Sequence, residues 1–386
     1  MIVYIGLFLS ALSLVIGILI GFSALASSSG YGANPSLADD IMFHPDIMIF
    51  GVVGGLLVTE KLESMEKFKL LNRFRISRLI VIFLFSGTAI ASAGYSMTNS
   101  ALIDTGLAFV IISSILFLHF LTSKMGHSIA GIRWMFGASA VAITFTAFAN
   151  MSSTIWMNIR LTYLALLFPV IYIVAERVEL GFIRGMDKKI IALQASLSWI
   201  IVITAFASVE YPQPVKGSII MGSSIVILLF MIFNALRFDP SFHRSPRQGK
   251  FQVYLRIGVI IAYFWLFLGL GLFALQLTTS EDMLDAATHS IAIGFIGTFI
   301  VTHSPIIFPM TLRKNAAQDR VTFSPILIIT LATVMRVYGD LGVGSNYVLN
   351  LISYLSGYVL VIAILAFIFN LKRVILPSAV PAPTFQ

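Results

Sequence analysis

The stretch HPDIMIFG, residues 44–51, opens a long apolar run with an imidazole, a proline and a carboxylate. Proline is tolerated in the first turn of a helix, because the N–H that it lacks would have no helical partner there. An aspartate in that turn is favoured by the helix dipole. The stretch therefore predicts the start of an apolar helix. Its polar residues either mark a water interface or belong to a site.

The composition of the chain indicates what surrounds that helix. Of the 386 residues, 58% are hydrophobic and 11% are charged, and the mean hydropathy is +0.95. One soluble core cannot bury that much apolar surface, so the composition predicts a polytopic integral membrane protein in contact with the lipid bilayer. The net charge of +8 does not indicate nucleic-acid binding, because the basic residues fall in short segments between apolar runs.

Apolar runs of roughly 20 residues, the length that crosses about 30 Å of hydrocarbon, occur twelve times in the chain. The first run is too long for a signal peptide and has no basic segment before it, so it is counted as a helix. The predicted fold is all-α, with one transmembrane domain over residues 1–376 and a short tail over 377–386. The predicted spans are 2–25, 42–60, 79–97, 102–122, 128–149, 155–175, 190–209, 217–236, 253–276, 287–310, 323–340 and 347–370.

The basic residues predict how these spans are oriented. All but three of the 25 lysines and arginines fall on the same side of the predicted bilayer as the two chain termini. The three on the other side are Arg160, Lys216 and Arg336. Because basic loops are retained in the cytoplasm, we expect a plasma-membrane protein with both termini inside the cell.

The second predicted span carries small residues on the face of its histidine. At 100° per residue, Met48, Gly51 and Gly55 lie on the same side as His44. Such a face is either a groove beneath the imidazole or an ordinary G-x-x-x-G contact between two helices. The pattern by itself does not decide between these two interpretations.

The tenth predicted span repeats this arrangement at the same outer level. It opens with HSIAIGFIGTF, residues 289–299, in which Gly294 and Gly297 follow His289. Two histidines at one level could serve as the axial ligands of a haem, and small residues beside them would let the backbone approach the flat ring. The pattern therefore predicts a haem held between the second and tenth helices.

Further metal ligands are candidates at two levels. A copper ion shared by His44, Asp46 and His289 would require a similar placement of the two helices. Toward the cytoplasmic side, His119 and His303 are candidates for a second cofactor layer. The alternative for this lower pair is that both are core histidines with satisfied hydrogen bonds.

Two arginines lie inside apolar runs, where a guanidinium needs a partner. Arg336, in LATVMRVYGD, could bind a haem propionate through charge-assisted hydrogen bonds, or could pair with Asp340 in the next turn. For Arg160, in WMNIRLTY, we favour pairing with an acidic residue or extension to the membrane interface.

These motifs resemble the NnrS-like family of haem–copper membrane proteins, which is associated with nitric oxide metabolism. HPDIMIFG is similar to the family's H-x-H-E-M-x-F-G, with the first histidine, the methionine, the phenylalanine and the glycine in register. HSIAIGFIGTF is similar to its H-A-x-T-x-G-A-x-G-T-M, with the histidine, two glycines and the threonine in register. Shorter similarities follow in the family's order along the chain, at 177–184 (RVELGFIR), 262–270 (AYFWLFLGL) and 331–337 (LATVMRV).

The resemblance implies a twelve-helix protein that binds haem and copper, with nitric oxide or another small gas and an electron-transfer protein as partners. The chain also departs from the family pattern. Asp46 and Ile260 stand where the family has histidines, and the R-x-x-x-x-H-T-G ending after the tenth helix is missing. His303 lies where the family pattern has no histidine. These departures remove copper ligands more than they remove haem ligands.

Together these features predict a haem-binding membrane protein linked to nitric oxide or respiratory redox chemistry. The chain has no cysteine, which excludes thiolate-bound and covalently attached haem. We expect b-type haem, although the sequence does not decide the haem type. The sequence does not decide whether the protein is an enzyme. Three alternatives stay open: an accessory subunit of a membrane respiratory complex, a purely structural membrane subunit, and a polytopic transporter without cofactor, in which polar residues line a path.

Overall fold

The computed structural model describes residues 2–28, 43–67, 74–124, 130–153, 158–211, 213–242, 249–279, 282–312, 314–341 and 347–375. Within these ranges the regular elements are all helical, and twelve long helices follow one another along the chain. Helix α2 consists of three consecutive segments, His44–Asp46, Ile47–Gly54 and Gly55–Lys67. Helix α10 likewise consists of Leu284–His289, Ser290–Gly297 and Thr298–Thr311.

The other ten helices are regular. They are α1 (Ile2–Ser28), α3 (Phe74–Ser96), α4 (Ser100–Lys124), α5 (Ala130–Ser153), α6 (Ile159–Ile183), α7 (Lys188–Glu210), α8 (Pro214–Leu236), α9 (Lys250–Gln276), α11 (Ser324–Asp340) and α12 (Tyr347–Ile375). Two short 3-10 turns, Pro240–Phe242 and Gln318–Arg320, precede α9 and α11.

The predicted all-α class is confirmed, and the long helices match the predicted spans in order. In the described ranges, ten of them are long and apolar enough to cross a membrane. The remaining two are α2, whose lower half is charged, and α11, which has 17 residues. The predicted tail over 377–386 lies outside the described residues.

Helix α6 occupies the centre of the bundle. It packs against α2, α5, α7, α8 and α10, and 78% of its most apolar window is buried inside the protein. For α12 the corresponding share is 17%, so that helix lies at the periphery. The central helix is the less apolar of the two, with a mean hydropathy of 1.7 for α6 and 2.4 for α12, as expected when the more apolar helix faces lipid.

Small residues allow the closest helix contacts. A Cβ atom added to Gly106 of α4 would meet the backbone of Ala91 on α3. On α11, a Cβ added to Gly339 would come within 2.7 Å of the backbone nitrogen of Ser353 on α12. Helices in a bilayer associate through such close backbone approach, since lipid provides no hydrophobic drive for helix pairing. These glycines therefore set the spacing of two helix pairs.

Two helices leave regular α geometry at corresponding places. Ile47–Gly54 in α2 and Ser290–Gly297 in α10 are π-helical, each over eight residues. Both segments follow the histidine that opens the helix, and α2 has Pro45 in its first turn as predicted. Turns with i→i+5 hydrogen bonds are rare in proteins. Those that do occur are often found at functional sites. The wide turns thus occur in the two helices that carry the predicted haem ligands.

Candidate functional site

His44 is positioned by α1. Its Nδ1 lies 2.9 Å from the carbonyl oxygen of Gly17. A Cβ atom added to Gly21 would come within 2.7 Å of the imidazole, so the ring depends on the absence of a side chain there. A carbonyl oxygen can only accept a hydrogen bond, so Nδ1 carries the hydrogen and Nε2 keeps its lone pair. Hydrogen bonds of this kind orient the histidines that bind metals.

His289 is held in the same way by its own helix. Its Nδ1 lies 2.8 Å from the carbonyl oxygen of Asp285 and 3.5 Å from a carboxylate oxygen of Asp340. Arg336 also approaches this nitrogen, with Nε at 3.4 Å. A ring nitrogen cannot donate to the carbonyl and accept from Arg336 at once. The shorter contact decides, so Nδ1 is the donor and Nε2 keeps its lone pair.

The two imidazoles lie close enough to interact electrostatically, and Arg336 also interacts with His44. We call His44 and His289 the outer histidine pair. Both side chains are partly exposed, with 20% of the His289 side chain accessible. The pair therefore combines two available ring nitrogens in one region at the predicted outer level, which is a suitable donor set for a metal or haem iron.

Arg336 has protein partners beside this pair. Its Nε lies 3.0 Å from a carboxylate oxygen of Asp340, one turn further along α11. Ser353 of α12 accepts from Arg336 at 3.2 Å and donates to Asp340 at 3.0 Å. Asp285 completes the network, with its carboxylate 3.5 Å from the guanidinium. Pairing with Asp340, one of the two alternatives for this arginine, is therefore what the structure shows.

The small face of α2 packs directly on α1. Gly51 faces Ser13, whose hydroxyl would be 2.8 Å from an added Cβ atom, and Gly55 faces Ser10. Met48 contacts α1 as well. The residues predicted to share a face with His44 thus share one neighbour. This is a close helix–helix contact, and it leaves no groove at the two glycines.

The glycines of α10 face two other helices. A Cβ atom on Gly294 would come within 2.5 Å of the indole of Trp265 on α9. One on Gly297 would come within 3.1 Å of Ile329 on α11. These glycines therefore do not line a slot opposite the glycines of α2. The donor atoms of the outer histidine pair fit haem iron, whereas the predicted glycine walls do not fit the macrocycle.

Asp46, two residues after His44, has its carboxylate hydrogen-bonded to another helix. Its side chain is fully buried, and Asn150 of α5 donates to its carboxylate at 3.4 Å. Asn150 also donates to the hydroxyl of Tyr95 on α3. Across the described ranges, no group of three or more His, Cys, Asp or Glu side chains is arranged to hold a metal ion. The structure thus does not unite Asp46 with both histidines as the copper prediction requires.

The lower histidines are separated from each other. His303 is buried in α10, with Nδ1 3.0 Å from the carbonyl oxygen of Phe299 and its ring stacked on Phe299 at 4.1 Å. His119 is exposed on α4, which packs against α3 and α5, whereas α10 packs against α9 and α11. His303 is a hydrogen-bonded core histidine, and the structure does not bring His119 to it.

Arg160 caps the end of a neighbouring helix. It donates to the carbonyl oxygen of Ser208 at 2.6 Å and to that of Tyr211 at 3.2 Å. These are carbonyls at the C-terminal end of α7, where a cation is favoured by the helix dipole. Arg160 therefore stabilises the contact between α6 and α7.

A second polar region lies at the opposite end of the bundle. We call it the inner charge cluster, and it comprises Glu60 and Lys61 of α2, Glu176, Arg177 and Glu179 of α6, and Asp239 after α8. Lys61 lies 3.1 Å from Glu179. Arg177 lies 3.7 Å from Asp239. Both cations also lie over aromatic rings, Lys61 over Phe136 and Arg177 over Phe299.

The sequence interpretation missed the inner charge cluster. Its predicted spans end at residues 60 and 175, so the charged residues beyond were assigned to loops. The signal was present as EK at 60–61 and ER at 176–177, adjacent acid–base pairs at the ends of two apolar runs. Charges of both signs at one level on different helices can pair within a bundle.

Residues 4–375 match the model of a protein family, DUF8744, whose description is a domain of unknown function. No curated protein matches the chain. The match spans all twelve helices described above.

Proposed function

We propose that this chain, which belongs to the DUF8744 family, is an integral membrane protein that binds haem at its outer histidine pair. The observation that carries the proposal is the hydrogen bonding of the two imidazoles. In both rings Nδ1 is held by a backbone carbonyl, so that Nε2 retains its lone pair, and the two rings interact with each other. A matched pair of this kind is the ligand chemistry of b-type haem.

Different residues would have different roles in binding the haem. His44 and His289 would bind the iron, and the carbonyls of Gly17 and Asp285 would fix the orientation of their rings. Arg336 would stay paired with Asp340 and Asp285 beside the pair, so it is not assigned to a haem propionate. When bound, haem supplies an iron that carries an electron or a small gas ligand such as nitric oxide. An electron-transfer protein would then be the partner at the outer face.

The membrane setting is part of the same proposal. The apolar helices supply the bilayer contact, and the basic segments favour a plasma-membrane protein with both termini in the cytoplasm. In this orientation the outer histidine pair faces the non-cytoplasmic side. The donor set supports haem more than copper, because the carboxylate of Asp46 is hydrogen-bonded to Asn150 of α5 and does not join the two histidines.

The test is the visible spectrum of the purified protein. We expect the wild-type protein to show a haem absorption band that shifts on reduction, and we expect His44→Ala and His289→Ala each to lose it. His119→Ala is the matched control, because His119 is exposed on α4, a helix that does not carry either ligand. A folded wild-type protein without haem, even after supply of haem during expression, would overturn the proposal, as would full haem occupancy in both variants.

A transporter without cofactor is the second candidate, and a separate observation favours it. Helix α2 carries Glu60 and Lys61 of the inner charge cluster together with one π-helical segment, and α10 carries the other π-helical segment. Intramembrane charges and irregular helices are typical of substrate paths. A folded, haem-free protein whose reconstituted vesicles show substrate or ion flux would favour this candidate over the first.

A further inference from the structure

We propose that a groove between α5 and α7 binds an anionic phospholipid, with an acyl chain in the groove and the phosphate beside Lys188 at its inner end. We call it the α5–α7 groove. It lies between two helices that carry neither histidine of the outer pair. The inference therefore goes beyond the proposed function and does not depend on haem.

The first step is the size and lining of the groove. It is open along one side and has a volume of about 590 Å³, within the range of about 300–1,000 Å³ that is typical of small-molecule sites. Trp134 of α5 and Trp199 of α7 line it, with their rings edge to face and 6.1 Å apart. Most of the other lining residues, such as Ala192 and Ala195, have small side chains. Two bulky indoles thus border a space that no side chain of the protein fills.

The second step is the level of the groove in the bundle. Both helices begin at the inner end, α5 at Ala130 and α7 at Lys188. They touch at this level, because a Cβ atom added to Gly131 would come within 3.1 Å of the carbonyl oxygen of Ile191. Trp134 is 50% exposed and lies one turn further into the bundle than Ala130. Tryptophan is enriched where a membrane protein meets lipid near the headgroups.

The third step is the polarity of the groove along its length. Lys188 is exposed. At 100° per residue it lies within about 40° of Ala192, Ala195 and Trp199, so it shares the face of α7 that lines the groove. Trp199 is about 17 Å further along the helix at 1.5 Å per residue. One end of the groove is thus cationic and the other is apolar, which matches the headgroup and the chain of a phospholipid.

The fourth step is the charge around the inner end. Lys189 is exposed beside Lys188, as is Arg184 at the end of α6. The acid between them, Asp187, accepts the backbone N–H of Lys189 at 2.9 Å and so caps α7. Within the described ranges, neither lysine forms an ion pair with a carboxylate of the protein. Basic pockets of this kind between transmembrane helices bind anionic headgroups.

The contacts of the bound lipid follow from these positions. The ammonium group of Lys188 would donate charge-assisted hydrogen bonds to phosphate oxygens. The indoles of Trp134 and Trp199 would pack against the acyl chain, since an aromatic ring contributes a large apolar area. A zwitterionic lipid carries its own cation beside the phosphate. The groove should therefore prefer an anionic headgroup.

The test is the quenching of tryptophan fluorescence in the full-length protein, reconstituted in phosphatidylcholine vesicles. The probe is phosphatidylglycerol with brominated acyl chains, and the reference is phosphatidylcholine with the same chains. We expect half-maximal quenching by the anionic lipid at about one fifth of the mole fraction that the reference requires, the preference that one lysine provides. Inorganic phosphate should relieve this quenching no more than chloride of the same ionic strength.

Variants assign the preference to the groove. Lys188→Gln should remove most of the five-fold preference, whereas Lys216→Gln, an exposed lysine in the first turn of α8, should retain it. The double variant Trp134→Phe, Trp199→Phe should lose the selective quenching. Trp265→Phe should keep it, because Trp265 is 3% exposed on α9.

The wild-type comparison alone can overturn the proposal, so a variant that fails to fold does not prevent a decision. Equal quenching by the two brominated lipids would overturn it. The same holds if Lys188→Gln keeps the full preference, or if the selective quenching survives in the double tryptophan variant. Relief by inorganic phosphate beyond that by chloride would show a site for free phosphate and would overturn the lipid assignment.

Discussion

The two ends of the bundle hold their polar groups in opposite ways. At the outer end, each histidine of the pair is fixed by a backbone carbonyl, which leaves its second nitrogen available. At the inner end, the cations are fixed by carboxylates and aromatic rings, and Lys61, Arg177 and Asp239 are buried. The comparison shows that one bundle can leave ligand atoms available at one end and hold paired charged side chains at the other.

The difference also concerns access to water. The carboxylate of Asp285 in the outer network is 71% exposed, whereas Asp239 in the inner charge cluster is fully buried. Charges near water are screened and contribute little when they pair, while a buried charge that loses its partner is costly. In the outer network Arg336 and Asp340 are 12% and 2% exposed, so this network meets water mainly through Asp285, and we expect somewhat larger effects of substitutions at the inner end.

The largest expected effect is at the inner ion pair. Arg177→Met leaves Asp239 buried without its cation, and we expect a loss of stability of about 3–5 kcal/mol. The measurement is the unfolding midpoint in detergent, followed by circular dichroism. The double variant Arg177→Met, Asp239→Asn should recover more than half of the loss, because it removes the uncompensated charge.

Arg184→Met serves as the control for this experiment, since Arg184 is an exposed arginine just after α6. We expect its unfolding midpoint to equal that of the wild-type protein. If Arg177→Met were no more destabilised than Arg184→Met, the ion pair between Arg177 and Asp239 would not stabilise the fold.

A smaller effect is expected in the outer network. Arg336→Met removes the ion pair with Asp340 and the hydrogen bond to Ser353. We expect a loss of about 1.5–3 kcal/mol, typical of hydrogen bonds to charged groups. Added salt should reduce the difference from wild type here, because this network reaches water through Asp285. The same salt should leave the stability loss of Arg177→Met unchanged. An equal effect of salt on the two variants would contradict the difference in water access between the two ends.

The smallest effect concerns the glycine contact between α2 and α1. Gly55→Ala places a methyl group against Ser10 and within 2.5 Å of the Phe85 ring. Overpacking of this kind should cost about 1–3 kcal/mol. Gly271→Ala is the matched control, because no atom lies within 4 Å of its added Cβ and alanine favours the helix. Equal unfolding midpoints of the two variants would argue against a tight contact between α1 and α2.

The fold could be predicted from the sequence in large part. Apolar runs long enough to cross a bilayer identified the helices in their order. This was possible because the hydropathy of a span depends on the residues of that span alone. The start of α2 at His44 followed from Pro45 and from the polar residues around it. The helix ends were less accurate. The second span was predicted to end at residue 60, whereas α2 continues to Lys67.

The sites were harder to predict, since they depend on which helices meet. The face of α2 with Gly51 and Gly55 was identified from helical periodicity, but periodicity does not say that α1 covers it. Charged residues such as Glu176 end an apolar run in a hydropathy scan. In the bundle they remain helical because partners on other helices compensate them. Partner choice is a tertiary property, and no local pattern contains it.

The π-helical segment of α2 lies between the two ends of that helix. A turn with i→i+5 bonds holds one residue more than an α-turn, and each residue of an α-helix advances the side-chain direction by 100°. Loss of a single residue from Ile47–Gly54 would therefore swing Glu60 about 100° around the helix axis while His44 kept its aim. The π-helical segment therefore sets the rotation of one end of α2 relative to the other. An insertion or deletion within it would turn the side chains at one end about the helix axis and leave those at the other end in place.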